Sequence, residues 1–354
     1  MDQVTRFGVD TSKSVFTLHG VDAQDRPVLR RNVGRRQVLE FFRRQPASVV
    51  ALEACGASHH WARELAKLGH EVRLIAPQHV KPYVKRKNDR NDAAAICEAA
   101  GRPQMRFVPV RSAGAQAAAL VLKTHELLVK QRTALVNAIR GHAAEFGMVA
   151  PKGRHEAQDL LDAVAADAAI PAEARAMIAL LGEELARRDE TIRGIEAKLR
   201  TLHRASETSR RLATIPGIGE IAALTIALTV DPAAFEHGSN FSAWLGLVPG
   251  ENSTAGKQRP GGLTRAGNER IRSLLVVGAT AVVRHAAKPR NPLAPDWITS
   301  LLQRRPRKVV ACAVANRMAR IAWALMSSGQ DYDPRLAAPR PARPAKGQAQ
   351  AAAA

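Results

Sequence analysis

The run Ser48-Val49-Val50-Ala51-Leu52-Glu53 limits what this chain can fold into more than any other stretch. It is too short for a stable helix, apolar without alternation, and ends in a carboxylate. Such a segment reads as a strand buried on both faces, as in a parallel sheet, with its acidic residue at the carboxyl tip. The neighbouring segments fit a layered domain. Residues 4–20 hold two β-rich runs joined by a short polar turn, a hairpin in which Asp10 closes the first strand. Residues 28–33 add a strand, 37–44 a short amphipathic helix, 59–68 a second helix and 71–75 another strand. The order β-β-β-α-β-α-β-α predicts a mixed sheet with helices on its faces.

Asp10 and Glu53 thus stand at strand ends, and a second acidic pair follows the last of these strands. Lys85-Arg86-Lys87-Asn88-Asp89-Arg90-Asn91-Asp92 leads into an alanine-rich helix. Positions three apart share a helix face, so Asp89 and Asp92 point the same way. Ligands of open sheets gather at the carboxyl ends of parallel strands. Four carboxylates converging there repel one another unless a cation neutralises them. Hard oxygen donors select Mg²⁺ or Mn²⁺, and a pair of such ions clamps the attacking and leaving oxygens in phosphodiester chemistry. The plainer alternatives are a turn role for Asp10, a surface ion pair for Glu53 and a helix cap for Asp89. Four carboxylates at matching places in a basic chain favour the metal site.

The charge narrows the partner. The 354 residues carry a formal net charge of +21, more than solubility needs, which points to a polyanion, nucleic acid first. A membrane surface is less fitting: no apolar run approaches the length of a spanning helix, and the first residues do not form a signal peptide. Aromatic residues make up only 4% of the chain, so contacts to backbone phosphates fit better than stacking on single-stranded bases. Cys55, Cys97 and Cys312 lie far apart, without metal-ligand spacing, which fits a reducing cytoplasm.

Beyond residue 113 the periodicity becomes helical. Residues 115–146 form one long amphipathic helix and 171–202 another, with a looser segment at 151–167. The two long helices pack either as an antiparallel pair or as a dimer coiled coil. Ile215-Pro216-Gly217-Ile218-Gly219 joins two further helices in a helix-hairpin-helix pattern. There Gly217 and Gly219 let backbone N–H groups approach a phosphate, the plainer alternative being a tight helix connection. In the run from Phe241 a short apolar helix leads into Asn252-Ser253-Thr254-Ala255-Gly256-Lys257-Gln258-Arg259, a basic, hydroxyl-rich loop. From the residues alone this is a phosphate-binding loop with Ser253 as a turn residue, since no His or Asp neighbour suggests a triad. Helices from 267 to about 285 and from 308 to 327 follow, and after Asp333 the Pro-, Arg- and Ala-rich tail cannot bury a core.

Taken in order, Gly8-Val9-Asp10-Thr11-Ser12-Lys13, Glu53-Ala54-Cys55-Gly56, Asn88-Asp89-Arg90-Asn91-Asp92, Ile215-Pro216-Gly217-Ile218-Gly219, Gly246-Leu247-Val248-Pro249 and Ser253-Thr254-Ala255-Gly256-Lys257 resemble the DEDD transposases of the IS110 insertion-sequence family, in its IS1111 branch. The resemblance spans about residues 4–330. It implies four regions: a RuvC-like domain with an RNase H-type sheet (1–112), a long-helix coiled-coil or dimerisation region (113–205), a helical transposase domain with the serine loop (206–330) and a basic tail (331–354). It implies that Asp10, Glu53, Asp89 and Asp92 bind Mg²⁺ and that Ser253, beside Thr254, attacks DNA to form a 5′-phosphoserine link. Related loops often have Gly where this chain has Ala255. The resemblance further implies a bridge-RNA-guided serine recombinase working on donor and target DNA in the bacterial cytoplasm, on the nucleoid, as a dimer or tetramer with a composite site. Phosphate contacts would fall to Lys85, Arg86, Lys87, Arg90, Lys257 and Arg259. Two other readings keep part of this pattern: a metal-dependent junction nuclease that uses water, and a non-catalytic nucleic-acid scaffold.

Overall fold

The computed structural model describes residues 3–84, 89–151, 153, 155–252, 259–288 and 295–334, with only the backbone at Asp89, Arg90, His155 and Pro260. Lys85, Arg86, Lys87, Ser253, Thr254, Lys257 and the tail beyond residue 334 lie outside the described residues. The chain divides into two compact units, Met1–Ala117 and Ala118–Ala354.

The first unit is built on a six-stranded mixed sheet of order β3-β2-β1-β4-β5-β6. Its strands are β1 (Arg6–Asp10), β2 (Val15–Val21), β3 (Pro27–Gly34), β4 (Val49–Glu53), β5 (Glu71–Ile75) and the two-residue β6 (Phe107–Val108). The first three form an antiparallel meander, β4 and β5 run parallel to β1, and β6 turns back along β5. Strand alternation sends side chains to two layers. Phe7, Val9, Phe16, Leu18, Val50 and Leu52 face Val38 and Phe42 of α1 (Val38–Arg43) and Trp61, Ala62 and Leu65 of α2 (Ser58–Lys67). Ala51 and Ile75 instead meet Ala95, Ile96 and Ala99 of α4 (Asp89–Ala100), beside Val80 at the end of the short α3 (Pro77–Val80).

The second unit is helical. Its long helices α5 (Ala113–Ala144) and α7 (Ala172–Ala205) pack antiparallel within one chain. Leu122 near the start of α5 meets Leu199 near the end of α7, and Ile139 near the end of α5 clusters with Ile178 and Leu185. Between these contacts His125 faces Glu196 at 3.4 Å and Arg132 reaches Asp189 at 3.3 Å. The segment expected to be loose folds instead as α6 (His155–Ala166), whose Leu160 and Val164 join the same apolar cluster.

A second core gathers α8 (Glu207–Ala213), α9 (Glu220–Thr229), α10 (Gly238–Trp244), α11 (Glu269–Ala286), α12 (Asp296–Leu302) and α13 (Arg307–Ser328). A two-stranded hairpin, β7 (Pro249–Glu251) and β8 (Pro260–Leu263), projects from it. The short apolar helix expected ahead of the serine loop is α10, which ends at Trp244 before the chain bends at Gly246, whose φ is +69°. One expectation is corrected outright: α13 is long and apolar enough to cross a membrane. Its Val310, Val314, Ala315, Met318, Ala322 and Leu325 are buried in the core, so its apolarity is accounted for by packing against the neighbouring helices.

Candidate active site

In the first unit, Asp10 ends β1 and Glu53 ends β4, and these two strands are parallel neighbours. Val9 pairs with Leu52, which puts Asp10 and Glu53 one step further along at the same end of the sheet. Val9 and Leu52 belong to the α2-side core, so alternation turns Asp10 and Glu53 to the α4 side. Just beyond the two carboxylates the loops touch, with the Thr11 hydroxyl 3.4 Å from Cys55 Sγ. Both carboxylates are half-buried.

Helix α4 brings the remaining acids. It begins at Asp89, and the half-buried Asp92 occupies its first turn. The helix lies directly on β1: a β-carbon on Gly8 would stand 2.5 Å from the backbone nitrogen of Cys97 and 2.7 Å from its Cβ. Two arginines rising from the sheet on this side hold its carboxyl end. Arg6 donates to the Cys97 carbonyl at 3.0 Å, and Arg73 to the Ala100 carbonyl at 3.1 Å. Cations at a helix C-terminus offset its dipole and cap its free carbonyls. The close approach at Gly8 and the two arginine caps fix the helix, and with it the position of Asp92.

Glu53 registers the result electrostatically. Its carboxyl is pushed above the ordinary glutamate value, by burial first and then by the negative charge of Asp92. Like-charge pressure of this kind is what a bound cation relieves, and carboxylate oxygens are the donors a hard divalent ion takes. Among the described residues, however, no three His, Cys, Asp or Glu side chains gather closely enough to hold a metal. Asp10, Glu53 and Asp92 are therefore brought to one end of one sheet face without closing to ligation distance, and the Asp89 side chain lies outside the described residues.

In the second unit, the loop containing Ser253, Thr254 and Lys257 spans a gap between described residues, but both of its ends are fixed. Asn252 N–H donates to the Arg259 carbonyl at 3.1 Å, closing the base of the β7–β8 hairpin. Below it, Thr264 N–H donates to the Val248 carbonyl at 3.0 Å, and Asn316 of α13 donates to the Leu247 carbonyl at 3.1 Å. Arg272 of α11 bridges the carbonyls of Leu245 at 3.0 Å and Ala266 at 2.7 Å. Sequence reasoning gave no signal for Arg272 or Asn316 as anchors of this loop, nor for Arg6 and Arg73 as caps of α4.

The turn between α8 and α9 separates its two glycines. Gly217 has φ +89° and packs on α11 and α13, where an added β-carbon would come within 2.8 Å of Val282 and 3.0 Å of the Gly278 carbonyl. Gly219 is exposed, has ordinary φ, caps the N-terminus of α9 and has open space where a β-carbon would go. Gly217 is thus required by packing, while Gly219 leaves the α9 N–H groups approachable.

Comparison with known proteins fits this arrangement. Residues 7–147 match the family model of the IS110 DEDD transposases, and residues 209–293 match that of the IS116/IS110/IS902 transposase family. A putative transposase of Sinorhizobium fredii is 51% identical over 99% of this chain and 88% of its own length. A probable family 20 transposase of Pseudomonas aeruginosa is 46% identical over 94% of this chain and 99% of its own. The transposase for insertion sequence element IS1111A of Coxiella burnetii is 38% identical over 94% of this chain and 92% of its own. A fold with acids at adjacent strand ends and a helical second unit is thus that of a DNA transposase, an enzyme of strand cleavage and transfer. The chain belongs to the IS110 family of DEDD transposases, in its IS1111/IS116 branch. The class is DEDD, so the expected label of serine recombinase is not the one the matches carry.

Proposed function

We propose that the protein excises and inserts its DNA element by a serine-linked reaction at a four-carboxylate site. The observation that carries this reading is the placement of Asp10 and Glu53 at neighbouring strand tips on one sheet face, with Asp92 close enough to raise Glu53. Asp10, Glu53, Asp89 and Asp92 would hold Mg²⁺, or Mn²⁺, and the sheet order β3-β2-β1-β4-β5 supports the RuvC-like, RNase H-type reading of residues 1–112. A bound divalent ion would supply Lewis-acid stabilisation of charge on the phosphate oxygens.

The remaining steps belong to the chain's own residues. The Ser253 oxygen bonds to the scissile phosphorus while the bond to the 3′ oxygen breaks, the serine proton leaving with the 3′-hydroxyl. This gives a 5′-phosphoserine and a free 3′-hydroxyl. A new 3′-hydroxyl attacks that phosphorus in turn, restoring the serine, so strand exchange needs no nucleotide cofactor. Lys85, Arg86, Lys87, Arg90, Lys257 and Arg259 would bind the backbone phosphates, and the helix-hairpin-helix at Gly217 and Gly219 a further one. Residues 113–205 would serve dimer or tetramer assembly, with the serine loop of 206–330 completing the carboxylate site of another copy. A noncoding bridge RNA would select donor and target by base pairing, the protein reading the duplex by its shape and backbone.

Transposition of a marked element in cells tests the carboxylate site: Asp10→Asn is expected to abolish it, and retained transposition overturns the reading. RNA copurifying with the protein tests guidance: a discrete RNA encoded by the element supports it, and only bulk cellular RNA overturns it.

A further inference from the structure

Beside Asp10, on the same face of the sheet, lies a groove that neither the carboxylate chemistry nor the basic loops use. It is lined by Thr17, Leu18 and His19 of β2 and Arg30, Arg31 and Asn32 of β3. The strand pairings align it with the acids. Asp10 pairs with Thr17, which pairs with Asn32, and one step back Gly8 pairs with His19, which pairs with Arg30. Asp10, Thr17 and Asn32 therefore form one row across the sheet, and His19 and Arg30 continue the row beneath it. With strands about 4.8 Å apart, the groove lies roughly 5–10 Å from Asp10.

Its floor is unusual. Thr17 and His19 are each 7% exposed, polar residues buried in the middle of the sheet. Its rim is cationic and exposed, from Arg30 beside the Asn32 amide, whereas the Arg31 guanidinium turns to the other face and lies over the Phe41 ring at 5.7 Å. Burial, then the charge of Arg30, holds the His19 imidazole below its ordinary value, so at neutral pH one ring nitrogen is an N–H donor and the other an acceptor. A hydroxyl, an imidazole N–H, an amide and the Arg30 guanidinium together offer several donors to a ligand made of acceptors.

We infer that this groove holds a backbone phosphate of the DNA strand being cut, one or two nucleotides from the phosphate at Asp10. Arg30 supplies the charge, Asn32 and Thr17 the flanking donors and His19 a donor from below. The groove would set which phosphate reaches the carboxylates. This inference rests on the carboxylate reading of Asp10, and its test separates the two.

The test is a walk of single neutral methylphosphonate linkages along an oligonucleotide that spans the element end. Affinity for the full-length protein is measured for wild type, Arg30→Gln and Asn32→Ala, both exposed positions. One linkage near the cleaved phosphate is expected to weaken wild-type binding about 10-fold, the scale of a charge-assisted hydrogen bond. The same linkage should cost Arg30→Gln almost nothing further, while other linkages cost both proteins alike. The inference is overturned if every linkage costs wild type and both variants the same. Asp10→Asn provides the separate readout. If it still transposes, the carboxylate reading fails whatever the walk shows; if it is inactive and no linkage couples to Arg30 or Asn32, only the groove fails.

Discussion

Gly8 of the first strand and Cys97 of the overlying helix approach so closely that no side chain fits between them. A β-carbon on Gly8 would stand 2.5 Å from Cys97 N and 2.7 Å from Cys97 Cβ. The contact sets how deeply α4 sits on the sheet, and so how near Asp92 comes to Glu53. Gly8→Ala must lift the helix or bend the strand, at a cost of about 1–3 kcal/mol, the usual scale of overpacking. Denaturant unfolding should show that loss, and transposition should fall further than stability does, because Asp92 is displaced from its partners. A variant of wild-type stability and activity would show that the helix does not depend on this approach.

Glu53 should reveal itself by pH. In the unfolded chain its carboxyl titrates near 4.5, and in the folded protein burial and then Asp92 raise it. Folding thus favours the protonated form. The contribution is fully present below the unfolded value and is lost as pH rises through the folded one. Glu53→Gln keeps the neutral form at every pH. Measured by urea unfolding, the variant should gain on wild type as pH rises from about 4 to about 7, while losing transposition. A difference that stays flat with pH would remove the case for a perturbed Glu53.

The arginine caps make a separate prediction. Arg6 and Arg73 bind the last carbonyls of α4 from strands on either side of β4, at the opposite end of that helix from Asp92. Arg73→Leu should cost roughly 1–2 kcal/mol through the lost carbonyl contact and dipole interaction. If α4 is positioned as a rigid rod, the variant should also lower transposition without weakening overall DNA binding. Reduced DNA binding instead would make Arg73 a phosphate contact.

The parts legible in the sequence were those whose periodicity matched their burial. The apolar runs at 49–53 and 71–75, the acids at strand tips and the two long helices all read directly, because one residue pattern serves one environment. The β7–β8 hairpin did not read, since Pro249-Gly250-Glu251 and Pro260-Gly261-Gly262 are poor strand formers whose flanking residues, Leu245, Leu247 and Ala266, are anchored by Arg272 of α11 and Asn316 of α13. Helix α6 was hidden by its alanine-rich composition and preceding Gly153, yet Leu160 and Val164 find partners on α5 and α7. Distances between the acids were not legible either, because they depend on Gly8, Arg6 and Arg73, whose roles exist only after packing.

The two glycines of the α8–α9 turn separate structure from binding. Gly217 needs φ +89° and faces Val282 and Gly278 at contact distance, so Gly217→Ala should lose about 1–3 kcal/mol of stability. Gly219 has φ −79° and open space beside it, so Gly219→Ala should leave the fold nearly unchanged. If the α9 N-terminus receives a phosphate, that same variant should weaken DNA binding several-fold and flatten its salt dependence, because a methyl group then stands at the approach to the N–H groups. Thermal unfolding and salt-titrated DNA binding on the two variants decide it. Unchanged binding in Gly219→Ala would leave the turn as a helix connection and move the phosphate contacts to the basic loops.

The serine loop carries the sharpest chemical prediction. Its base is held, with Asn252 bonded to the Arg259 carbonyl and the segments flanking the hairpin tied to Arg272 and Asn316 through the Leu245, Ala266 and Leu247 carbonyls. A hydroxyl on such a hairpin can be delivered reproducibly to a phosphate. Ser253→Ala should abolish the covalent protein–DNA adduct trapped by denaturation, whereas Thr254→Ala should retain it. Asp10→Asn should lose the adduct as well, since no His or Asp stands beside the serine in sequence to complete a triad. Mixing the Ser253→Ala and Asp10→Asn proteins then tests the composite site. If serine and carboxylates come from different copies, mixed assemblies regain a fraction of the adduct that neither variant makes alone. If both come from one copy, the mixture stays inactive. An adduct that survives in Ser253→Ala would transfer the nucleophile to another hydroxyl or to water.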